Sequence, residues 1–476
     1  MFQLTTGEEI PLEFHRTCIV RQVRMAPPRE RLEALRSAGF NSFLLQSRDV
    51  FLDMLTDSGT NAMSDRQLAA MQQADDAYAG SESFCRFREK IADIFHKPFV
   101  LPAHQGRGAE NVLCRTLVRE GSIVPMNYHF SSIRDLIRAY GGEVVELPMD
   151  EAFDLDSCYP FKGNCHVGRL EDLLRREGPE RVPFIRMEAC ANLIGGQPFS
   201  LENLRAVRAV CEKFGVLLVL DASLLAENLH FIGRRERPTT PLREIAAEMA
   251  ALCDIIYFSA RKFGCAKGGA IATASEPLYR AMAPFVILFE GFLTSGGMSM
   301  REMEAATVGL EEAMDPEQVR LAPEFVDYMC RELKKLDVPT LSPPGALGCH
   351  VDGRRFLEHV STQEYPAAAL AAALFLASGI RAMERGALSD GSVGGRDRPL
   401  PVPELLRLAV PRKVFTLSQL RYAVDRIGWL FRNRQLIGGM ELADGETPAE
   451  SFAARLRPVG GWENVLLQKL LKEGLA

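Results

Sequence analysis

Between about residues 60 and 310 the apolar positions follow two alternating rhythms. Short, nearly unbroken apolar runs at 182–187, 216–220, 254–258 and 270–273 are separated by stretches in which leucine, valine and alanine recur every three or four positions. The first rhythm suits strands covered on both faces, and the second suits helices laid over them. Together they predict a parallel sheet with crossover helices. The helix between the first two runs has clear ends: Ser200 can cap it, Leu204 and Val207 share a face, and Gly215 stops it.

Elsewhere the pattern changes. A short helix is predicted over 29–38, ending near Gly39, and the stretch 41–55 leads into the turn-rich Thr56-Asp57-Ser58-Gly59-Thr60-Asn61. Beyond about Pro323, one helix precedes Leu336, a proline-rich turn covers Ser342-Pro343-Pro344-Gly345, and an alanine-rich helix is expected at 367–378. A strand follows at 405–410 and an amphipathic helix at 417–431, while 386–401, rich in Gly, Asp, Arg and Ser, reads as an exposed loop. The organisation expected is an N-terminal arm with part of a small domain (1–60), a large domain (61–319) and a C-terminal small domain (320–476).

Composition narrows the class. With 47% apolar and 25% charged residues over 476 positions, the chain can bury a sizeable core. A formal charge of −6 without a basic block disfavours nucleic acid. No run approaches the ~20 uncharged apolar residues of a membrane span, and the first residues, MFQLTTGEEIPLEF, carry acids where a signal peptide would be basic. Eleven cysteines without a CxxC pair read as reduced thiols of a cytoplasmic protein. Cys165 and His166 are adjacent but have no second pair, so no metal centre is expected.

Four features carry chemistry. Asp221 ends the apolar run 216–220, and ligands of open parallel sheets bind beyond such carboxyl ends. Lys262 follows the run 254–258 within Ser259-Ala260-Arg261-Lys262, one strand-helix-strand unit later, hence at the same sheet edge. Gln105-Gly106-Arg107-Gly108-Ala109-Glu110 opens a helix with small residues and a fork donor, a cup for phosphate. Asn192 stands between a strand and Gly195-Gly196-Gln197-Pro198, placed to meet a ring oxygen. An aspartate for a pyridinium nitrogen and a lysine for a Schiff base are what pyridoxal phosphate requires.

From about Phe40 to Arg412 the chain also resembles the β-eliminating lyases of the aromatic amino acids, the family of tyrosine phenol-lyase and tryptophanase. The resemblance rests on LLQSRDVFLDMLTDSGTNAMSD, DDAYAGSESF, PAHQGRGAEN, FKGN, NLIGGQP, LDAS with AEN after it, and LLRLAVPRKVFT. It implies a fold-type I pyridoxal-phosphate enzyme of the aspartate aminotransferase kind. Such an enzyme has a large domain with a mostly parallel seven-stranded sheet and a small α/β domain. Lys262 would hold the cofactor covalently, Asp221 would meet the ring nitrogen, and Asn192 the ring hydroxyl. Gln105, Gly106, Arg107, Ser259 and Arg261 would hold the phosphate, and Phe130 would lie against the ring. Arg407 would grip the substrate carboxylate with Thr56 or Ser58. Tyr78 would come from a neighbouring subunit of a homodimer or homotetramer to protonate the leaving ring.

Within the family, Met383-Glu384-Arg385-Gly386 and Phe130-Ser131 resemble the phenol-lyase branch. Arg385 and Ser131 would then meet the phenolic oxygen, and Phe43 would line the ring pocket. The implied reaction converts L-tyrosine or a ring-modified tyrosine to a phenol, pyruvate and ammonia. The alternatives are β-elimination or β-replacement on another amino acid (an S-substituted cysteine, a tryptophan-like or a biosynthetic substrate) and a non-catalytic homologue. Three departures stand out. Leu224 replaces an arginine beside the cofactor, the pocket histidine near Gly348 has no aligned counterpart, and the closing phenylalanines are reduced to Phe452. The loop after Lys262 is one residue short, so monovalent-cation (K+) dependence is doubtful. There, Lys267 is expected to replace the ion by pairing with Asp76 across subunits.

Overall fold

The computed structural model describes residues 1–390, 403–444 and 452–475. They fall into two compact units, Ser58–Arg320 and Met1–Asp57 with Leu321–Ala476. Two principal sheets are built from strands β1 (Leu52–Met54), β2 (Phe99–Ala103), β3 (Ile123–Met126), β4 (Glu143–Glu146), β5 (Phe184–Glu188), β6 (Leu217–Asp221), β7 (Ile255–Ser259), β8 (Gly269–Thr273), β9 (Gly348–Asp352), β10 (Ile380–Arg385) and β11 (Leu405–Ala409). The helices that matter below are α1 (Gly106–Leu117), α2 (Ser131–Ala139), α3 (Leu201–Phe214), α4 (Leu225–Arg235), α5 (Ala260–Phe263) and α6 (Pro366–Ser378).

The larger unit holds a seven-stranded sheet in the order β2-β8-β7-β6-β5-β3-β4. Strands β5, β7 and β8 are buried along their whole length, which is why they read as nearly unbroken apolar runs, interrupted in β5 by Arg186. The helix expected between the first two runs is α3: Ser200 Oγ accepts the Asn203 N–H at 3.0 Å, and Gly215 closes it at φ 71°. One strand departs from the parallel expectation. β8 runs antiparallel to both β7 and β2, because the connection 260–268 is too short for a crossover. Strands β2 and β3 contain Pro102 and Pro125, which interrupt the sequence signal. Pro125 is tolerated where β3 meets β5 only through Met126 opposite Arg186.

The smaller unit centres on the sheet β9-β11-β10-β1, antiparallel except that β1 runs parallel to β10. Helix α6 is buried at every residue. Its alanines let neighbouring elements approach on all sides, and Gly379 (φ 71°) turns the chain at once into β10. In the segment expected to be an exposed loop, Ala387–Asp390 form a short helix. The remainder of that segment, 391–401, lies outside the described residues. No helix among the described residues is long and apolar enough to cross a membrane.

Candidate active site

Two neighbouring parallel strands of the larger unit finish together, Glu188 of β5 in register with Asp221 of β6, and Asp221 is in register with Tyr257 of β7, two residues before that strand ends. Asp221 is therefore a strand-end carboxylate at the middle of the sheet. Lys262 follows β7 directly in α5, and its Nζ lies 4.9 Å from the centre of the Phe130 ring, which stands at the N-cap of α2. Gln105 is extended and does not cap α1 with its side chain; its carbonyl accepts from Gly108 and Ala109. A Cβ on Gly106 would come within 2.8 Å of Ser259 Cβ, so only glycine lets the start of α1 lie against the end of β7. Arg107 projects outward, and the Arg261 side chain borders Gly59. The Arg261 carbonyl accepts from Gly59 N–H and Asn61 Nδ2. Asn192 is buried in the turn after β5, its N–H donating to Glu188 Oε1 at 3.2 Å.

Gln105, Gly106, Ser259, Lys262, Phe130, Asn192 and Asp221 are thus assembled by one sheet edge. The donor set fits pyridoxal phosphate: uncapped helix N–H groups beside a serine and arginines suit a phosphate monoester, and a lysine over an aromatic face suits an aldehyde carbon. A strand-end aspartate suits a protonated ring nitrogen. Leu224, where the resemblance leads one to look for arginine, is a buried apolar residue at the head of α4.

The sequence reading missed the layer beneath Asp221. Arg186 is fully buried. It donates from Nη2 to Asp221 Oδ2 at 2.6 Å, from Nε to the Tyr257 hydroxyl at 2.7 Å, and from Nη1 to Glu188 Oε2 at 3.2 Å. Tyr257 OH lies 3.1 Å from Asp221 Oδ2 and 3.4 Å from Glu110 Oε1, and Ser132 Oγ donates to Glu110 Oε2 at 2.5 Å. Burial, then Asp221, push the Glu110 carboxyl up to about 7. Burial also raises the Glu188 carboxyl, opposed by Arg186 and Lys262. The signal was present: an arginine and a glutamate two apart, hence on one face, inside an otherwise apolar strand.

The turn behind Lys262 is held tightly. Gln67 Nε2 donates to the carbonyls of Gly264 and Ala305 at 2.8 and 2.9 Å. A Cβ on Gly309 would fall 1.8 Å from the Gly264 carbonyl oxygen. Gly309→Ala therefore has to push the lysine turn aside, and such overpacking costs roughly 1–3 kcal/mol. The expected outcome is a lowered melting temperature together with weakened cofactor retention; a variant that melts with the parent and keeps its cofactor would show that the turn yields freely.

The smaller unit carries a second set. β10 and β11 pair with Met383 opposite Arg407 and Arg385 opposite Leu405, so the two arginines are diagonal neighbours on one sheet face. His350 of β9 lies opposite Arg407 on that face. This histidine is buried two residues beyond Gly348, at a position the resemblance does not align with the family's pocket histidine. Burial and Arg407 push it down to about 3, so it is a neutral imidazole. Arg407 pairs with Asp57, the residue between Thr56 and Ser58. Phe43 meets Phe452 edge-on at 4.8 Å. In the larger unit, Tyr78 is 77% exposed with its ring stacked on Phe292 at 4.9 Å, and Ser131 is the first residue of α2. Lys267 and Asp76 are both exposed.

A family model described as β-eliminating lyase matches residues 53–423. The chain is 38% identical over 444 residues to a protein named tyrosine phenol-lyase from Symbiobacterium thermophilum, covering 92% of this chain and 97% of that one. It is 39% identical over 459 residues to one named probable tryptophanase from Aeropyrum pernix, covering 94% and 97%. Among solved structures, Bna3p of Saccharomyces cerevisiae superposes with a TM-score of 0.61 at 15% identity over 84% of this chain and 95% of that one. Serine palmitoyltransferase of Sphingomonas wittichii does so with 0.56 at 14% over 82% and 88%. At that identity the likeness is one of fold.

Proposed function

From the premise that the chain belongs to the β-eliminating lyase family and is a pyridoxal-phosphate-dependent lyase, we propose that its substrate is L-tyrosine or a ring-modified tyrosine. One water splits that substrate into a phenol, pyruvate and ammonia. The observation that carries this reading is the pair of arginines sharing one face of the smaller sheet. One fork suits an amino-acid carboxylate and the other a phenolic oxygen.

When bound, the cofactor supplies a conjugated ring that takes up the electron pair freed at the substrate's α-carbon. Everything else falls to side chains. Lys262 holds the cofactor and moves the α-proton. Gln105, Gly106, Arg107, Ser259 and Arg261 anchor the phosphate, while Asn192 and Asp221 orient the ring against Phe130. Arg407 exchanges Asp57 for the substrate carboxylate, helped by Thr56 or Ser58, and Phe43 borders the ring. A phenyl carbanion is a poor leaving group, so the ring must first gain a proton at carbon. Arg385 and Ser131 polarise the phenol for that step, and Tyr78 delivers the proton from the neighbouring subunit of a homodimer or homotetramer.

The test is pyruvate release from the holoenzyme over tyrosine, tryptophan, S-alkylcysteines and serine, with tyrosine expected to lead. A second reading, β-elimination on an amino acid with a better leaving group, is favoured by Leu224, which leaves the cofactor's ring oxygen without a cation from α4. It predicts that an S-alkylcysteine leads and tyrosine is inert. A non-catalytic homologue would show no cofactor absorbance band, and the joint presence of Lys262, Asp221 and Arg407 speaks against it.

The shortened loop is proposed to make the enzyme independent of potassium. Lys267 takes the ion's place beside a neighbouring subunit's carboxylate at Asp76, an ammonium group being a compact donor to oxygen ligands. Activity should then be equal in sodium, potassium and a bulky organic cation. Strong potassium activation would end the idea.

A further inference from the structure

We propose that Arg186 is a positioning residue that weakens the hold of Asp221 on the cofactor's ring-nitrogen proton, and that Glu188 moderates Arg186. The inference rests on the reading that Asp221 faces that nitrogen. A carboxylate offers about four lone-pair positions. Asp221 Oδ2 accepts from Arg186 Nη2 at 2.6 Å and from Tyr257 OH at 3.1 Å, and Oδ1 accepts from the Ser223 N–H at 2.9 Å. One position, on Oδ1, is left for a ring N–H. Ser223 is itself held, its Oγ accepting the Ser259 N–H at 3.0 Å, so the carboxylate cannot turn to present another lone pair.

Charge matters as much as geometry. The Arg186 guanidinium is fully buried, and its charge acts on Asp221 through protein rather than water. A pyridinium and a guanidinium then compete for one carboxylate. Glu188 takes part of the guanidinium through Oε2 at 3.2 Å. Lys262 also bears on Glu188. The proton on the ring nitrogen sets how strongly the ring draws electrons, so this buried arginine adjusts that draw from the far side of Asp221 without touching the ring.

The experiment is the ¹⁵N chemical shift of pyridoxal phosphate labelled at the ring nitrogen, bound to the holoenzyme at one fixed neutral pH. Arg186→Gln should move the signal towards the pyridinium value. Because a hydrogen bond to a charged group is a strong one, the change in the protonation equilibrium should be at least about tenfold. Arg186→Lys, which keeps a cation, should stay near the parent. Glu188→Gln should move the signal the opposite way, since the whole guanidinium then falls to Asp221. A merely structural role would not produce opposite shifts. Should Arg186→Gln not fold, Tyr257→Phe, which removes an uncharged donor from Oδ2, should shift the signal in its direction by less.

Asp221→Asn separates the two layers of the argument. If it leaves the signal unchanged, the placement of the ring nitrogen is wrong. If it moves the signal while the Arg186, Glu188 and Tyr257 variants do not, the inference about Arg186 is overturned and the placement stands.

Discussion

Lys262→Ala should give a folded protein that binds pyridoxal phosphate without a borohydride-reducible bond and turns over no amino acid. The lysine sits one short step beyond β7, its amine over the Phe130 ring, at the edge where Asp221 ends the adjoining strand. On the proposed reading, removal takes away both the covalent tether and the group that moves the α-proton. Proton transfer by a positioned side chain alone contributes about 10²–10⁴-fold to rate. The side chain is only partly buried and supports no core, so the apo variant should melt close to the parent. Mass spectrometry after reduction decides the matter. A cofactor still attached would mean that another lysine does the work, with Lys267 the next along the chain.

Arg385→Ala should separate substrates. Turnover of tyrosine should fall at least tenfold, the equivalent of losing about 1.5–3 kcal/mol of a buried hydrogen bond to a charged group, while an S-alkylcysteine keeps its rate. The contrast arises because only the phenol has an oxygen to be read. Steady-state kcat/KM for both substrates in parent and variant measures it. The neighbouring Glu384, pushed up to about 8 by burial and then Glu404, faces the opposite side of β10, so its carboxyl takes no part in reading the phenol on the Arg385 face. Equal losses on both substrates would assign Arg385 to holding the sheet instead.

The legible parts of the sequence were those whose meaning is local. Strands β5 to β8 announce themselves because burial on both faces favours nearly unbroken apolar runs, and Ser200 and Gly215 mark the ends of α3 by the chemistry of caps. The short motifs around Gln105, Asn192, Asp221 and Lys262 are local too. What escaped depends on register between distant segments. Arg186 and Asp221 are 35 positions apart and Arg407 and Asp57 are 350 apart, and only strand pairing makes them partners. A pattern that scores β5 as core discounts the arginine inside it, and no apolar run announces β9 with its buried His350, although buried polar groups are the ones that must find partners. The direction of β8 was hidden because apolar content does not encode direction; the length of the connection does.

The smaller unit is assembled from both ends of the chain, and this sets an order on biosynthesis. Strand β1 is complete once residue 54 has been made, yet its parallel partner β10 begins at residue 380. At ~5–20 residues per second the ribosome needs roughly 20–60 s to supply that partner. Meanwhile the larger unit, contiguous from Ser58 to Arg320, is complete in sequence. Leu32, Leu35, Leu52 and Met54, all buried in the finished protein, must wait through that interval without their final neighbours. The nascent chain therefore carries an apolar leading segment that has no partner strand until translation reaches β10.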